Sequence, residues 1–342
     1  MTFPEDKIRL AHGSGGRAMR ALISGLFVDP DSPELARLGD GAVVHLPSLP
    51  GAPDLAGHLV ITTDAHIVKP IEFPGGDLGR LSVCGVVNDL AMMGATTVLA
   101  LTSSVILEEG FSIPTLERLH HSVRLACKEA NAQILTGDTK VMGRGELDGV
   151  AFSTTGLGLA RHVIRDDGLR PGDLILTTGT LGDHGLTVLA ARHQLGLYGE
   201  LRSDVAPLNG LIAALMSVAT PHAMKDPTRG GLISALTEMA EKAQVSIRLT
   251  ESQIPLSPAV RAASELLGVD PLAVANEGKA LIGVAPEDAD RVLAALRSHP
   301  LGRDAAIIGK VSAQHPGTLL LDTGYGVRRL IERDGDPMPR IC

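Results

Sequence analysis

A short apolar run that leads into Thr-x-Asp occurs twice in this chain. Residues 59–63 lead to Asp64, and residues 134–137 lead to Asp138. Short runs rich in aliphatic and β-branched residues predict strands. In open α/β folds, ligands gather beyond the carboxyl ends of the strands. The repeat therefore predicts layers of strands and helices, with an acidic side chain at the end of each of these two strands.

Helical patterns separate the predicted strands. The clearest covers residues 114–130, where Leu116, Leu119, Val123 and Ala126 recur every three or four positions. Further helices are predicted at residues 78–93, 186–194, 208–218, 232–243, 259–267 and 289–297. The aromatic share is only 2% and there is no Trp, so Leu, Val, Ile and Ala must fill the cores. The fold class is α+β, with α/β-type layers.

The length of 342 residues suggests two domains rather than one. A turn at residues 170–173 lies near the predicted boundary between an N-terminal domain, residues 1–160, and a C-terminal α/β domain, residues 161–332. Residues 333–342 contain two prolines and four charges and have no apolar periodicity. This last segment is predicted to be a flexible, extended tail.

Charge and composition argue against several classes of function. The net charge is −8 and no Lys/Arg block occurs, so nucleic-acid binding is not expected. The longest apolar run, residues 83–107, contains Asn88 and Asp89, which is more typical of helix, turn and strand than of a membrane span. Residues 1–9 lack an apolar signal region. A cytoplasmic protein without membrane contact is predicted.

The three cysteines, Cys84, Cys127 and Cys342, are widely spaced. Without a C-x-x-C pair, neither a zinc ribbon nor a disulfide framework is supported. Cys84 and Cys127 fall in predicted helices and are expected to be small core residues. Cys342 stands in the predicted tail, whose ten residues could span up to ~33 Å when extended. Its thiol could therefore enter an active site of this chain or of a partner, although an incidental cysteine is the alternative.

Five aspartates stand in predicted loops or at predicted strand ends, with Gly, Thr or Asn beside or close to them. They are Asp40, Asp64, Asp89, Asp138 and Asp226. Magnesium needs hard oxygen ligands and usually takes one or two carboxylates together with phosphate oxygens. As a set, the aspartates favour binding of magnesium against a triphosphate. Any single one is better explained as a turn or helix cap.

Two glycine-rich segments open predicted helices, residues 12–16 and residues 226–231. Glycine lets backbone N–H groups approach an anion, and a helix N-terminus adds partial positive charge. Neither a Walker A loop nor a G-x-G-x-x-G fingerprint is present, and a plain turn explains either segment alone about as well.

Taken by themselves, Lys140 and Glu277 are typical of solvated surface charges.

These segments together resemble the HypE family of hydrogenase maturation, within the PurM-like ATP-binding superfamily, nearly end to end. The segments that carry the resemblance are His12-Gly-Ser-Gly-Gly16, Thr62-Thr-Asp64, Phe73-Pro-Gly-Gly-Asp77, Val87-Asn-Asp-Leu-Ala-Met-Met-Gly94, Thr136-Gly-Asp-Thr-Lys140, Asp226-Pro-Thr-Arg-Gly-Gly231 and Pro339-Arg-Ile-Cys342. The Asn-Asp-Leu and Gly-Asp-Thr blocks are shared across the superfamily, whereas the last block is specific to the family. The resemblance implies a PurM-like two-domain architecture whose β-rich N-terminal domain forms a homodimer.

The resemblance also implies a reaction. HypF would load a carbamoyl group onto the sulfur of Cys342, and the chain would use ATP to dehydrate this thiocarboxamide to a thiocyanate. The cyano group would then pass to iron on the HypC–HypD complex, as the cyanide ligand of a nickel–iron hydrogenase. The chain would thus be an ATP-dependent carbamoyl dehydratase.

Roles for single residues follow from the same resemblance. Cys342 would carry the substrate, Lys140 would stabilise charge on the amide or phosphate oxygen, and Glu277 would be the base. The implied magnesium ligands are Asp40, Asp64, Asp89 and Asp226. The implied nucleotide-binding residues are Gly13, Gly15, Gly16, Asn88, Asp138, Thr139 and Arg229. Many superfamily members have paired aspartates where this chain has Gly39-Asp40, so one possible metal contact is missing.

Other interpretations fit less of the chain. Selenophosphate synthase has a reactive Cys or selenocysteine with Lys in its N-terminal glycine-rich segment, whereas residues 12–17 here are His-Gly-Ser-Gly-Gly-Arg. Thiamine-phosphate kinase and aminoimidazole ribonucleotide synthase leave the tail with Cys342 unexplained. A different class is a non-catalytic carrier, whose Cys342 would be loaded without ATP hydrolysis by this chain.

Overall fold

The computed structural model describes residues 16–28, 32–44, 57–196 and 201–332, together with Ile8 and His12. The elements of the first half are α1 (Gly16–Leu22), α2 (Pro33–Ala36), β1 (Ala42–Val44), β2 (His58–His66), β3 (Glu72–Phe73), β4 (Gly76–Asp77), α3 (Leu78–Met92), β5 (Thr97–Glu108), α4 (Ile113–Glu129), β6 (Ile134–Met142) and β7 (Val150–Ala160). Those of the second half are β8 (Leu174–Thr177), α5 (Asp183–Arg192), α6 (Asn209–Met216), β9 (Ala223–Lys225), α7 (Gly231–Ala243), β10 (Ser246–Thr250), α8 (Pro258–Leu267), β11 (Leu281–Val284), α9 (Ala289–Ser298), β12 (Ala306–Ser312), β13 (Thr318–Asp322) and β14 (Val327–Leu330).

Five strands of the first half form one mixed sheet, sheet 1, in the order β1-β2-β7-β5-β6. Strands β5 and β6 run parallel, with α4 as the crossover between them, and all other neighbours are antiparallel. Along β7, buried and half-buried residues alternate strictly, as expected where one face of a strand covers a core. The buried face of sheet 1 packs against α3.

Helix α3 is buried along nearly its whole length, and two glycines allow its close packing. A Cβ at Gly79 would lie 2.2 Å from the backbone oxygen of Leu119 on α4. A Cβ at Gly85 would lie 2.4 Å from Nε2 of His66 on β2. Since real Cβ atoms do not approach other atoms so closely, glycine at these two positions lets α3 lie directly against α4 and β2.

Seven strands of the second half form sheet 2, in the order β14-β13-β10-β12-β8-β11-β9. Strands β10 and β13 run parallel, and the other neighbours are antiparallel. The adjacent residues Leu281 and Ile282 on β11 belong to different cores, one containing α7 and the other containing α6 and α9. Sheet 2 is therefore covered by helices on both faces, as the fully apolar and buried strand β11 suggests.

The last turns of α3 join the first half to the second. They pack in the same core as α6 and α9. Asn88, which is 1% exposed, donates from Nδ2 to the backbone oxygens of Ala206 and Glu277, at 3.1 Å each. Its Oδ1 accepts a hydrogen bond of 2.8 Å from the backbone N–H of Leu208. One side chain of the first half thus fixes two backbone segments of the second.

Most sequence predictions for regular structure are confirmed. All eight predicted helices are present, with bounds that differ by a few residues, and the one opened by residues 12–16 is α1. Cys84 and Cys127 are buried in α3 and α4. The prediction that strands end at Asp64 and Asp138 is wrong, because β2 and β6 continue to pair with their neighbours beyond these residues. The predicted domain boundary lies between the end of β7 and the start of β8. The division into two domains at this point stays a prediction. The predicted tail lies outside the described residues.

None of the helices in the described ranges is both long and apolar enough to cross a membrane.

The three hydrogen bonds of Asn88 generate a prediction about stability. In the nearly isosteric variant Asn88→Asp, a carboxylate oxygen would face the backbone oxygens of Ala206 and Glu277 without a proton to donate. We expect the free energy of unfolding to fall by at least about 2 kcal/mol, because buried acceptors lose their donor. Urea denaturation measures this change. Asn131→Asp is the matched control, since Asn131 is exposed, and an equal loss in both variants would contradict the assigned role of Asn88.

Candidate active site

A cavity of about 500 Å³ opens where α1, β2, α3 and the segment before α7 meet. Acidic side chains lining it are those of Asp40, Asp64, Asp89, Asp226, Glu238 and Glu277. Basic side chains lining it are those of Arg20, Lys225, Arg229 and Lys242. The fold thus brings together four aspartates that are far apart in the sequence, along with Glu277 and Arg229.

The four aspartates come from four different segments. Asp40 precedes β1, Asp64 lies near the end of β2, and Asp226 directly follows β9. Sequence analysis groups Asp89 with aspartates of loops and strand ends although it falls within the predicted helix 78–93. The structure places it in the last turns of α3, where its Oδ2 accepts a hydrogen bond of 2.8 Å from Oγ1 of Thr62. Buried packing of the helix therefore sets the position of Asp89, and no turn is involved.

Asp64 is held by two neighbours. Its Oδ1 accepts a hydrogen bond of 2.8 Å from the backbone N–H of Ala65, and its Oδ2 lies 3.2 Å from Nε2 of His66. His66 is 1% exposed, and burial lowers the pKa of its imidazole. Sequence analysis missed His66, although Asp64 and His66 stand two residues apart on one strand and must share a face.

Burial and mutual repulsion disfavour ionised carboxylates in this cavity. Burial, followed by the charges of Asp226, Asp64 and Asp40, raises the pKa of Asp89 well above its usual value. Burial, followed by the charge of Asp40, raises the pKa of Asp226 to about 7. A cation among these groups would reverse this effect, because it favours the ionised form of every carboxyl group nearby.

Glu277 presents a buried carboxylate to the same cavity. The residue is 3% exposed, and its Oε1 has no hydrogen-bond partner among the described residues. Burial, followed by the charge of Asp226, raises the pKa of Glu277 well above its usual value. Its backbone N–H donates to Oδ1 of Asp204 at 3.1 Å, and its backbone oxygen accepts from Asn88. The interpretation of Glu277 as a solvated surface charge is therefore wrong.

The donor set fits magnesium that arrives with phosphate groups. Within the described ranges, no three His, Cys, Asp or Glu side chains are arranged to hold a metal ion by themselves. Magnesium commonly takes only one or two carboxylates and completes its octahedron with water and phosphate oxygens. Asp64, Asp89 and Asp226 offer such carboxylates to the cavity.

Lys225 is a second residue that sequence analysis missed. Its ammonium group contacts Oδ1 of Asp40 and lies 3.6 Å from Oδ2 of Asp166 and 3.7 Å from Oε2 of Glu238. Burial by itself would lower the pKa of Lys225, but Asp40, Glu238 and Asp166 together raise it well above its usual value. Its only signal in the sequence is its position directly before Asp226.

Asp138, Thr139 and Lys140 do not line this cavity. They are exposed on β6, the edge strand of sheet 1. Strand register places Asp138 and Lys140 on the face of sheet 1 opposite to the one that carries Asp64. Within one copy of the chain, Lys140 and the aspartate cluster are therefore separated by the sheet.

The remaining predicted residues are placed as follows. Gly16 begins α1 with a φ of 73°. Gly16 and Arg229 both line the cavity. Asn88 lies behind the cavity wall, where its amide binds backbone groups. Gly13, Gly15 and Cys342 lie outside the described residues.

The two cysteines in the body of the protein are poor nucleophiles. Burial raises the pKa of the Cys84 thiol to about 12 and also raises the pKa of Cys127. Because the thiolate is the reactive form, neither thiol competes for electrophiles near neutral pH.

Comparison with known proteins identifies the family. Two family models match, "AIR synthase related protein, N-terminal domain" over residues 39–160 and "AIR synthase related protein, C-terminal domain" over residues 170–322. Carbamoyl dehydratase HypE of Rhizobium leguminosarum bv. viciae is 45% identical over 341 residues, which cover 98% of this chain and 95% of the relative. Carbamoyl dehydratase HypE of Escherichia coli strain K12 is 43% identical over 341 residues, which cover 98% of this chain and 100% of the relative.

Solved structures of HypE proteins support the same family. A hydrogenase maturation protein HypE in complex with ATP superposes with a TM-score of 0.81 at 40% identity, over 98% of this chain and 100% of the other. A chain of a HypE–HypF complex superposes with a TM-score of 0.84 at 36% identity, over 93% of this chain and 100% of the other. The predicted fold class and the predicted resemblance are both confirmed. The chain belongs to the HypE family of hydrogenase maturation proteins.

Proposed function

We propose that this chain uses ATP to dehydrate a carbamoyl group on the sulfur of Cys342, giving the thiocyanate that supplies cyanide to a nickel–iron hydrogenase. As a member of the HypE family, it is an ATP-dependent carbamoyl dehydratase of hydrogenase maturation. The observation that carries the mechanism is the carboxylate of Glu277. It is buried at the wall of a cavity that also gathers four aspartates, and its Oε1 has no partner among the described residues.

Dehydration requires that the amide oxygen leave. Hydroxide is a poor leaving group, since its conjugate acid, water, has a pKa of ~15.7. Phosphate leaves far more readily, because the second pKa of a phosphate ester lies near ~6. Transfer of the γ-phosphoryl group to the carboxamide oxygen releases ADP and one N–H proton. Cleavage of the C–O bond then releases phosphate and the second N–H proton and completes the C≡N bond.

We assign removal of the nitrogen protons to Glu277. Its raised pKa makes the ionised carboxylate a stronger proton acceptor than one in water. Contacts from Asn88 and Asp204 to its backbone hold the residue in place, so its side chain can act without movement of the loop. Positioned general bases contribute on the order of 10²–10⁴-fold to the rate.

We propose that the cavity binds ATP together with magnesium, since a HypE relative was solved in complex with ATP. Asp64, Asp89 and Asp226 would bind the metal, which neutralises phosphate charge. Supporting this assignment, the pKa of Asp89 and that of Asp226 are raised in a way that a cation would relieve. Arg229 and the backbone at Gly13, Gly15 and Gly16 would contact phosphates. Asp40, the fourth predicted ligand, is already paired with Lys225.

We propose HypF as the donor of the carbamoyl group, because a HypE relative was solved in a complex with HypF. The HypC–HypD complex as acceptor of the cyano group rests on the family resemblance. The predicted cytoplasmic location and the predicted lack of nucleic-acid binding stay predictions.

Intact-mass spectrometry tests the proposed reaction. The chain carbamoylated at Cys342 should lose the mass of one water after Mg-ATP is added. Glu277→Gln should retain the carbamoyl mass and still bind nucleotide, with dehydration slowed on the order of 10²–10⁴-fold because the base is lost. Glu265→Gln, at an exposed position on α8, is the matched control and should react like wild type.

The same measurement separates the enzyme from a non-catalytic carrier. A carrier would keep the carbamoyl mass after Mg-ATP is added, although the protein is folded and loaded. A chain with Cys342→Ser should not be loaded at all. Loading of that variant would move the carrier thiol elsewhere.

We propose that the chain forms a homodimer through the outer face of sheet 1, the face away from α3. Apart from Glu108 at the end of β5, residues of this face on β2, β7 and β5 are uncharged and only half-buried or exposed. They include Ile61, Thr63, Thr102, Thr155 and Leu157. A face of this kind is suited to packing against the same face of a second copy of the chain. Lys140 lies on this face, so we propose that it acts at the cavity of the second copy.

Mixed dimers test the role of Lys140. Chains carrying Lys140→Ala and Glu277→Gln, each with its own affinity tag, are co-expressed and the mixed dimers are isolated. Each parent variant should be inactive, whereas the mixed dimer should have about half of wild-type activity, because one of its two cavities combines an intact Glu277 with an intact Lys140. Mixed dimers as inactive as both parents would show that Lys140 and Glu277 act from the same chain.

A further inference from the structure

Lys225 stands inside the proposed active site as a built-in positive charge. Its side chain is only 12% exposed, and its ammonium group contacts the carboxylate of Asp40, which is 10% exposed. The two residues come from β9 and from the segment before β1, so the contact joins the two halves of the chain across the cavity.

Neighbouring charges hold the ammonium group in this place. Asp166 and Glu238 approach it to 3.6 Å and 3.7 Å. Each of these two acids also has a second cation. Lys242 lies 2.7 Å from Asp166, and Arg20 lies 3.1 Å from Glu238. The result is an alternating network in which Lys225 is the cation nearest to Asp40.

A divalent cation bound to Asp40 would have to lie next to this ammonium group. Magnesium binds carboxylate oxygens at ~2.0–2.1 Å, so both cations would compete for the same carboxylate at very short separation. Like charges repel far more strongly in a partly dry cavity than in water. Lys225 is attached to the chain and already in contact, whereas a metal ion would have to displace it and leave a buried ammonium group with weaker pairing.

We propose that Lys225 takes the place of a metal ion at Asp40, so that divalent cations entering with the nucleotide bind at Asp64, Asp89 and Asp226 and not at Asp40. This inference rests on the proposed function, because it concerns the metal ions of that same site. It assigns Lys225 a positioning role. The side chain neutralises one carboxylate of the cluster and directs the metal to the others.

Mn²⁺ binding monitored by electron paramagnetic resonance tests this role, with the full chain and a non-hydrolysable ATP analogue. Asp40→Asn should leave the number of bound Mn²⁺ ions and their Kd unchanged, whereas Asp89→Asn should weaken Mn²⁺ binding by at least about tenfold. Lys225→Met should bind an additional Mn²⁺ ion, and the double variant with Asp40→Asn should lose it again. Lys242→Met is the matched control, since Lys242 contacts Asp166, and it should bind Mn²⁺ as wild type does.

Two outcomes would overturn the inference. One is weaker Mn²⁺ binding in Asp40→Asn to the same degree as in Asp89→Asn. The other is a folded Lys225→Met variant without an additional Mn²⁺ ion. If Lys225→Met fails to fold, Asp40→Asn decides by itself. A wild-type chain that binds no Mn²⁺ with the analogue would overturn the magnesium proposal, and the comparison of Lys225→Met with its double variant would still decide the role of Lys225.

Discussion

Burial of helix α3 is the constraint on which the other features of this protein depend. Glycines at positions 79 and 85 allow the helix to lie directly against α4 and β2, and Asn88 binds it to the second half. Asp89, one residue further, therefore enters the cavity from a helix that has no room to shift. The position of the cavity between the two halves follows from the packing of this single helix.

The cavity concentrates acidic groups at a cost to the stability of the folded chain. Burial and proximity raise the pKa of Asp89, Asp226 and Glu277, which means that the folded state disfavours their charged forms. On the side of Asp40 the chain supplies its own compensating cation in Lys225. The pKa of Asp40 is nevertheless raised, because burial outweighs the attraction of Lys225, so the whole acidic cluster is electrostatically strained, as is common where a protein binds ligands.

Local sequence predicted the helices well because their signals are local. Helix α4 begins where Ser112 accepts a hydrogen bond from the backbone N–H of Thr115, and its apolar spacing continues to its end. Strand ends were predicted wrongly, because the length of β2 and β6 depends on how far their partner strands extend. The same limit applies to the site. Family motifs indicated the aspartates, but the contact of Lys225 with Asp40 and the burial of Glu277 arise between distant segments and leave no local pattern.

The low reactivity of the Cys84 and Cys127 thiols affects which sulfur a carbamoyl donor can modify. Cys84 would need strongly alkaline conditions to ionise, and burial also raises the pKa of Cys127. A reagent that reacts with thiolates therefore meets no competing sulfur in either helix. For the proposed acceptor Cys342, selectivity would then require no discrimination between the three cysteines by the donor. The selectivity would come from the acceptor chain, whose fold keeps the other two thiols protonated.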